Sequence, residues 1–225
     1  MTKKVGVFIT LICLLIIPTL WVVIYKFKSQ VVYQYLPIYG DTETIPGDTI
    51  PYKIGDFSFV NQKGDSVNLG TFKDQIFIAN FFFASCPDIC PEMNRNLSYL
   101  VEKFEKTPGV KFISHTVHPE HDSVAVLWNY SKRYGFETKK WHFVTGKKSE
   151  IYDLAQYDYH AVATSGDNPV DFIHSEKFFL VDREKRIRGI YESRTHDVYR
   201  KVVEDIKMLF KEYKDLEENE REKDF

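Results

Sequence analysis

The longest apolar pattern in the chain lies near its amino terminus, from Val5 to Tyr25, with lysines on both sides. As a helix this segment would be about 31 Å long, which matches the core of a bilayer. It is long for the apolar part of a signal peptide, and no small-residue cleavage pattern follows it. We therefore predict a short tail at 1–4 and an uncleaved transmembrane anchor at 5–25.

The pattern of apolar and polar residues changes after the predicted anchor. Residues 26–51 mix Tyr, Pro, Gly, Asp and Thr without a sustained period, which predicts a tether. Short alternating segments begin near residue 52, and "DFSFVNQKGDSVNL" predicts a hairpin that turns at 61–65. We expect one domain at 52–212, followed by a charged, solvated helical tail at 213–225.

Strand and helix patterns alternate through this domain. "QIFIANFFF" is a run of β-forming residues, as expected for a strand buried on both faces, and apolar residues then recur at helical spacing from Pro91 to Phe104. The later elements are a strand in "VKFISHTV", a helix from Asp122 or Ser123 to Gly135, a strand in "WHFVTG", a helix around 151–155, a hairpin in "KFFLVDREKRIRGIYES" and a last helix from Val198. This order predicts an α/β fold, a thioredoxin-like sandwich with a mixed β-sheet and an N-terminal hairpin, preceded by one transmembrane helix.

Charge and cysteine content narrow the class of protein. The formal net charge is −2 and the basic residues are scattered, so nucleic acid is not an expected partner. Three cysteines are too few for a disulfide-dense secreted scaffold, and Cys13 lies inside the predicted anchor. Cys86 and Cys90 are therefore the cysteines that call for a chemical explanation.

These two cysteines lie in "CPDICP", where the buried strand gives way to the first helix. Pro87 and Pro91 lack an amide hydrogen, which a helix tolerates in its first turn, so the helix is predicted to begin within the motif. The spacing places Cys90 about one turn beyond Cys86 on the same side. The helix dipole and free amides are expected to lower the pKa of both thiols.

Three interpretations of the pair stay open. In the first interpretation the two cysteines are buried, inert thiols, although a junction between two prolines is a poor place to bury them. A thiol-disulfide enzyme is another, although the best-known redox motif has two intervening residues. A metal site is the third. His174, in "PVDFIHSEKFFL", adds an imidazole, and two thiolates with one imidazole suit Cu(I), whereas zinc normally takes a fourth ligand.

Three further histidines, His115, His118 and His121, are spaced by three residues. On a helix this spacing would align them, but His115 belongs to a predicted strand and Pro119 interrupts the sequence. We therefore interpret the three as surface or structural residues. The remaining histidines show no partner pattern, and they are His142, His160 and His196.

Four segments occur together in this order: "CPDICP" at 86–91, "HPEHD" at 118–122, "VTGKKSEI" at 144–151 and "DFIHSEKFFLVD" at 171–182. They resemble the SCO/SenC family of membrane-tethered, thioredoxin-like copper-handling proteins. The resemblance implies that Cys86, Cys90 and His174 bind copper, as Cu(I) or alternatively as Cu(II). One departure is that the family's usual Asp-Pro-Glu-Arg-Asp reads His-Pro-Glu-His-Asp here.

The same resemblance implies a function. The protein would be a copper metallochaperone that assists assembly of the binuclear copper centre of cytochrome c oxidase, and its partner would be the copper-bearing subunit or another copper-receiving protein. The alternative is a thiol-disulfide oxidoreductase that reduces the receiving cysteines, so enzymatic activity stays open, with a non-enzymatic role the leading expectation. A peroxidase is disfavoured because no Thr and Arg pattern of that class accompanies Cys86.

The expected location follows from the amino terminus. No Arg- and Ser-rich transit peptide precedes the apolar segment, which favours a bacterial host. The protein is then expected to cross the inner membrane once, with its domain on the periplasmic or external side.

Overall fold

The computed structural model describes residues 14–22, 35–45, 48–134, 139–161 and 175–223. Residues 14–22 are helical. Within the described ranges no helix is both long and apolar enough to cross a membrane. The anchor predicted at 5–25 lies largely outside these ranges and stays a prediction. The compact unit that carries the fold is Leu36–Phe225.

A mixed β-sheet of seven strands lies at the centre of this unit. The strands of the sheet are β3 (Ser58–Asn61), β4 (Ser66–Asn68), β5 (Ile76–Phe82), β6 (Val110–Thr116), β7 (Trp141–Thr145), β8 (Lys177–Val181) and β9 (Ile187–Glu192), and they are preceded in the chain by β1 (Glu43–Ile45) and β2 (Asp48–Ile50). Their order in the sheet is β4-β3-β7-β6-β5-β8-β9, and β1 pairs with β2 in a separate hairpin. β5, β6 and β7 run parallel, whereas the other neighbours are antiparallel. The predicted mixed sheet and the hairpin of β3 and β4 are confirmed.

Helices cover both faces of the sheet. They are α1 (Ile89–Phe104), α2 (Val124–Lys132), α3 (Lys148–Asp153), which continues as a π-helical turn (Leu154–Asp158), and α4 (Val198–Lys223). In β5, Ile78 and Phe82 pack with α1, α2 and α4, while Phe77 and Phe81 pack with α3 and its π-helical turn. Every residue of β5 is buried, which confirms the prediction of a strand covered on both faces.

The boundaries of α2 differ from the prediction. Its last residue is Lys132, ahead of the predicted end near Gly135. Its N-cap is Ser123, whose side chain accepts a hydrogen bond from the Val126 amide. Asp122, the other residue at which this helix was predicted to begin, instead accepts hydrogen bonds from the Ala84 amide and the Thr116 hydroxyl.

Part of the predicted tether packs against the domain. The Tyr39 amide donates to the Ile187 carbonyl at 2.8 Å. The guanidinium of Arg188 donates to the carbonyls of Leu36 at 2.7 Å and Pro37 at 3.2 Å. The hairpin of β1 and β2 also lies in this segment. Strands this short cover only one or two alternations, so no period of two is visible in the sequence.

Arg188 lies in a buried charge cluster. Its side chain is 2% exposed, and its nitrogens lie 3.1 Å from the Asp182 carboxylate and 2.8 Å from the Glu212 carboxylate. Asp182 also pairs with Arg186 at 2.7 Å. Because a buried charge is tolerated only when it is paired, this cluster ties β9 to α4 and to the chain that precedes β1.

Glu212→Gln should therefore lower the free energy of unfolding by about 3 kcal/mol, because Arg188 loses one of its two buried carboxylates. Urea unfolding of the full-length chain, followed by tryptophan fluorescence, measures the change. A matched control on the same helix is Glu217→Gln, whose carboxylate is 57% exposed and 3.9 Å from Arg183. It should change stability by less than about 0.5 kcal/mol. Equal losses for the two variants would contradict a special role for the cluster.

Candidate functional site

The cysteine pair lies at the carboxyl end of β5, where the chain turns into α1. The N-cap position, Asp88, makes no hydrogen bond from its side chain to the helix. Instead, the Cys86 sulfur accepts a hydrogen bond from the Cys90 amide, with the nitrogen and sulfur 3.4 Å apart. The amides of Asp88 and Ile89 also donate to it. The sulfur of Cys86 therefore takes the part of a capping group for the first turn of α1.

This local structure follows from the sequence. The helix begins within "CPDICP", as predicted, and both prolines fall where a missing amide hydrogen costs no intrahelical bond. Both cysteines are free, and the Cys90 thiol hydrogen-bonds to the Cys86 sulfur. The prediction that the two side chains face the same side is confirmed.

The two thiols differ in acidity. Burial opposes ionisation of Cys86, but the amides of Cys90, Asp88 and Ile89 outweigh it and lower the pKa of this thiol below its usual 9.0. Burial, together with the neighbouring Cys86 sulfur, raises the pKa of Cys90 to about 12 despite the opposing Phe83 amide. The prediction of two acidic thiols is wrong for Cys90, because its sulfur is buried beside a more acidic one and donates the shared hydrogen.

Asp122 holds the loop in front of the cysteines. Its side chain is fully buried, and one oxygen, Oδ2, accepts hydrogen bonds from the Ala84 amide at 2.9 Å and from the Thr116 hydroxyl. Ala84 lies two residues before Cys86, and Thr116 is the last residue of β6. One carboxylate thus ties the loop after β5 to the end of β6, and it also contributes to the raised pKa of Cys90.

A buried polar network supports α1 from behind. The Asn80 amide on β5 donates to Asn94 on α1 at 2.9 Å, and Asn94 donates to the Tyr130 hydroxyl on α2 at 3.0 Å. Ser114 on β6 donates to Asn80, and the Trp141 indole donates to Ser114 at 2.9 Å. Because each of these polar groups has a partner, the network fixes α1 one turn beyond Cys90 without an unpaired buried atom among these contacts.

The third predicted ligand, His174, lies outside the described residues. Its described neighbours begin at Ser175, which is buried. Glu176 accepts a hydrogen bond from the Arg194 guanidinium at 2.9 Å, and the same guanidinium lies 3.7 Å from Glu92 in the first turn of α1. Among the described residues, no group of three His, Cys, Asp or Glu side chains is arranged to hold a metal ion.

The other histidines separate into different environments. His115 is fully buried on the face of the sheet opposite α1, where its ring stacks on Phe81 at 5.1 Å between centroids. Burial lowers its pKa to about 3. Burial also lowers the pKa of His142 to about 4. The structural role predicted for His115 is confirmed, and it does not join His118 and His121.

Sequence reasoning missed two contributors to the site. Asp122 is a capping residue by its position in the sequence, yet it bonds to a loop 38 residues earlier. The pairing of Asn80 with Asn94 joins a strand residue to a helix residue. The only sequence signal for this pairing was Asn80, a polar residue within the apolar run "FIANFFF".

A thioredoxin-like α/β domain with a dithiol at the start of its first helix is the class of protein that this fold and site define. Comparison with known proteins adds the family, because the SCO1/SenC family model matches residues 48–211. The chain belongs to the SCO1/SenC family.

Two curated relatives show the extent of the similarity. The SCO1 protein homolog of Bacillus subtilis (strain 168) is 29% identical over 162 residues, which cover 71% of this chain and 84% of that protein. The mitochondrial SCO2 homolog of Mus musculus is 29% identical over 143 residues, which cover 61% of this chain. The match spans 55%, about half, of the length of the mouse protein.

Two solved structures have folds similar to that of this chain. BsSco, described as a member of the Sco family of cytochrome c oxidase assembly proteins with a disulfide switch, has a TM-score of 0.61 at 29% identity. The alignment covers 70% of this chain and 93% of BsSco. Yeast Sco1 with copper bound has a TM-score of 0.55 at 24% identity, and the alignment covers 70% of this chain and 90% of the yeast chain. At 24% identity, the similarity to yeast Sco1 establishes the fold alone.

The difference between the two thiols predicts different reactivity in the metal-free protein. At pH 7, iodoacetamide should modify Cys86 at least about tenfold faster than Cys90, because the thiolate is the reacting species. Brief labelling followed by peptide mass spectrometry measures both rates. In Cys90→Ser, a hydroxyl donor replaces the thiol and the rate at Cys86 should be nearly unchanged. Faster modification of Cys90 would show that the assigned acidities are reversed.

Proposed function

We propose that the protein is a membrane-anchored copper metallochaperone that binds copper through Cys86, Cys90 and His174. The observation that carries the proposal is the placement of both cysteines at the start of α1, where the Cys90 amide donates to the Cys86 sulfur at 3.4 Å. Two thiols one helical turn apart on the same side need only lose their protons to become two ligands of one ion. The amides around Cys86 already favour its thiolate form.

The chemistry of the donors favours copper in its monovalent state. Thiolates are soft ligands that select Cu(I), and a third ligand of imidazole type completes a three-coordinate site. Zinc would normally take four ligands, and Cu(II) stays open as a second state of the cargo. Binding would replace the thiol protons, so loading with metal releases protons from the pair.

The assignment of His174 draws on its neighbours. β8 is antiparallel to β5, with Ala79 opposite Phe179, so β8 begins at the end of β5 that carries the cysteines. Glu176 connects through Arg194 to Glu92, and Glu92 lies two residues after Cys90. These contacts support a third ligand from the residues that precede Ser175.

The exposure of the site suits transfer of its cargo. Cys86 is partly exposed, and its neighbours Pro87 and Asp88 are exposed, whereas Cys90 is buried. A partner's sulfur can therefore approach copper from the side of Cys86 while Cys90 still holds it. We propose that the recipient is the copper-bearing subunit of cytochrome c oxidase or another copper-receiving protein. This proposal draws on the family and on the role described for BsSco.

The location belongs to the same proposal. The segment 5–25 would anchor the chain in a bacterial inner membrane, with the domain on the periplasmic or external side. The basis is the uncharged run of residues and the lysines that flank it.

The metal proposal predicts about one Cu(I) per reduced full-length chain, measured in detergent by competition with a chromophoric Cu(I) chelator. Cys86→Ser and Cys90→Ser should abolish binding, and His174→Ala should weaken it by more than about tenfold, because a soft site loses a ligand. His196→Ala, which removes an exposed histidine, serves as the control and should leave binding unchanged. Equal copper retention in all four variants would rule the proposal out.

A second candidate function is reduction of a partner's disulfide, and the unequal acidity of the thiols favours it. The Cys86 thiolate would attack one sulfur of the partner and expel the other as a thiolate. Cys90, after losing its proton, would then attack Cys86 and release the second partner thiol. The partner gains two electrons, and Cys86 and Cys90 are left joined in a disulfide. The disulfide switch described for BsSco agrees with this chemistry.

The two functions differ in their need for His174. Reduction of a disulfide in a copper-receiving protein should proceed at the wild-type rate in His174→Ala and cease in Cys86→Ser. Mass spectrometry of the partner's alkylated cysteines follows the reaction. A rate that falls in His174→Ala along with copper affinity would contradict a reductase that acts without metal.

A further inference from the structure

The turn between β9 and α4, residues 193–197, contacts two segments that each follow a predicted copper ligand in the sequence. Glu176, the residue before β8, is two positions after His174. Glu92, in the first turn of α1, is two positions after Cys90. Contacts from one turn to both segments therefore link the two parts of the chain that the proposed site brings together.

The first two residues of this turn each contact both segments. The Ser193 amide donates to the Glu176 carbonyl at 2.7 Å, one residue beyond the pairing of β8 with β9, and the Ser193 carbonyl accepts from the Asn96 side chain at 2.8 Å. The Arg194 guanidinium donates to the Glu176 carboxylate at 2.9 Å and lies 3.7 Å from the Glu92 carboxylate. We refer to Asn96, Ser193 and Arg194 as the brace.

The helical period of α1 explains why one turn meets both of its contacts. Glu92 and Asn96 are four residues apart, so their side chains lie on the same face of the helix. Ser193 is fully buried, whereas the Arg194 side chain is 41% exposed. The hydrogen bonds of the Ser193 backbone are therefore expected to contribute more to the brace than the exposed ion pairs of Arg194.

The brace can affect metal binding without touching the metal. A flexible segment loses conformational entropy when a ligand orders it, and a segment that is already fixed avoids that cost on binding. The brace fixes Glu176 against the helix that carries Cys90. Neither brace side chain is itself a suitable ligand, because a guanidinium offers no lone pair and the oxygen of an amide is hard, whereas Cu(I) prefers soft ligands.

We propose that Asn96 and Arg194 are positioning residues for copper, which raise the affinity for Cu(I) by holding the start of β8 against the first turns of α1. The inference rests on the proposed copper site and adds two residues to it that do not bind the metal. Their effect is exerted through the chain that precedes β8, so it depends on the ligand assigned there, His174.

The affinity of full-length variants for Cu(I), measured in detergent by competition with a chromophoric chelator, tests the proposal. Asn96→Ala/Arg194→Ala should weaken binding by about tenfold or more, and Arg194→Ala alone by about threefold, because the start of β8 must then be ordered on binding. Arg200→Ala removes a 65% exposed guanidinium from the neighbouring first turn of α4 and should leave the affinity unchanged.

A double-variant cycle with His174→Ala separates positioning from a general loss of structure. In the His174→Ala background, Asn96→Ala/Arg194→Ala should change the remaining affinity by less than about twofold, because the ligand that the brace positions is gone. An equal loss in both backgrounds would overturn the inference, since the brace would then support the fold and not the site. If circular dichroism shows that Asn96→Ala is unfolded, the exposed Arg194→Ala decides the same comparison.

The proposed function and this inference fail in different ways. If His174→Ala and the cysteine variants bind Cu(I) as well as the wild type does, the proposed copper site is wrong and the positioning role is overturned with it. If those variants lose affinity while Asn96→Ala/Arg194→Ala and Arg194→Ala keep the wild-type value, the copper site stands and the brace alone is overturned.

Discussion

The site depends on the hydrogen bonds that converge on the sulfur of Cys86. The first-turn amides of α1 have no partner within the helix, and this sulfur accepts from them in place of a capping side chain. The start of the helix and the acidity of one thiol therefore have the same cause. Cys90, one turn later, is placed against that sulfur and donates its hydrogen to it. A soft dithiol that is compact before metal arrives follows from this arrangement.

The rest of the fold keeps that arrangement rigid. Asp122 fixes the loop before Cys86 to the end of β6, and Asn94 fixes α1 to β5 and α2. At the edge of the sheet formed by β9, the buried ion pairs of Arg188 similarly join β9 to α4. Each tie uses a buried polar group whose loss would leave a partner unsatisfied, so the geometry of the site is maintained by polar contacts as well as by apolar packing.

The sequence was informative wherever a local pattern determines structure. The apolar run of β5, the helical spacing of Met93, Leu97 and Leu100 and the polar turn between β8 and β9 each predicted an observed element. The position of the cysteines at a strand-to-helix junction followed from the prolines and was also confirmed. These features depend on neighbours within a few residues, which a single sequence contains.

What escaped prediction depends on contacts between distant residues. The acidity of Cys90 depends on burial and on the sulfur beside it, the role of Asp122 on a loop across the sheet, and the docking of Leu36 on Arg188. The spacing of His115, His118 and His121 did not reveal that the first lies in the core while the other two meet in one turn. Such pairings are fixed by the tertiary fold.

X-ray absorption at the copper edge of the Cu(I)-loaded, full-length protein tests the central claim most directly. The account predicts a coordination shell of two sulfur atoms and one nitrogen from an imidazole, with the nitrogen lost in His174→Ala. A shell without sulfur, or one that keeps its sulfur atoms in Cys86→Ser/Cys90→Ser, would contradict it.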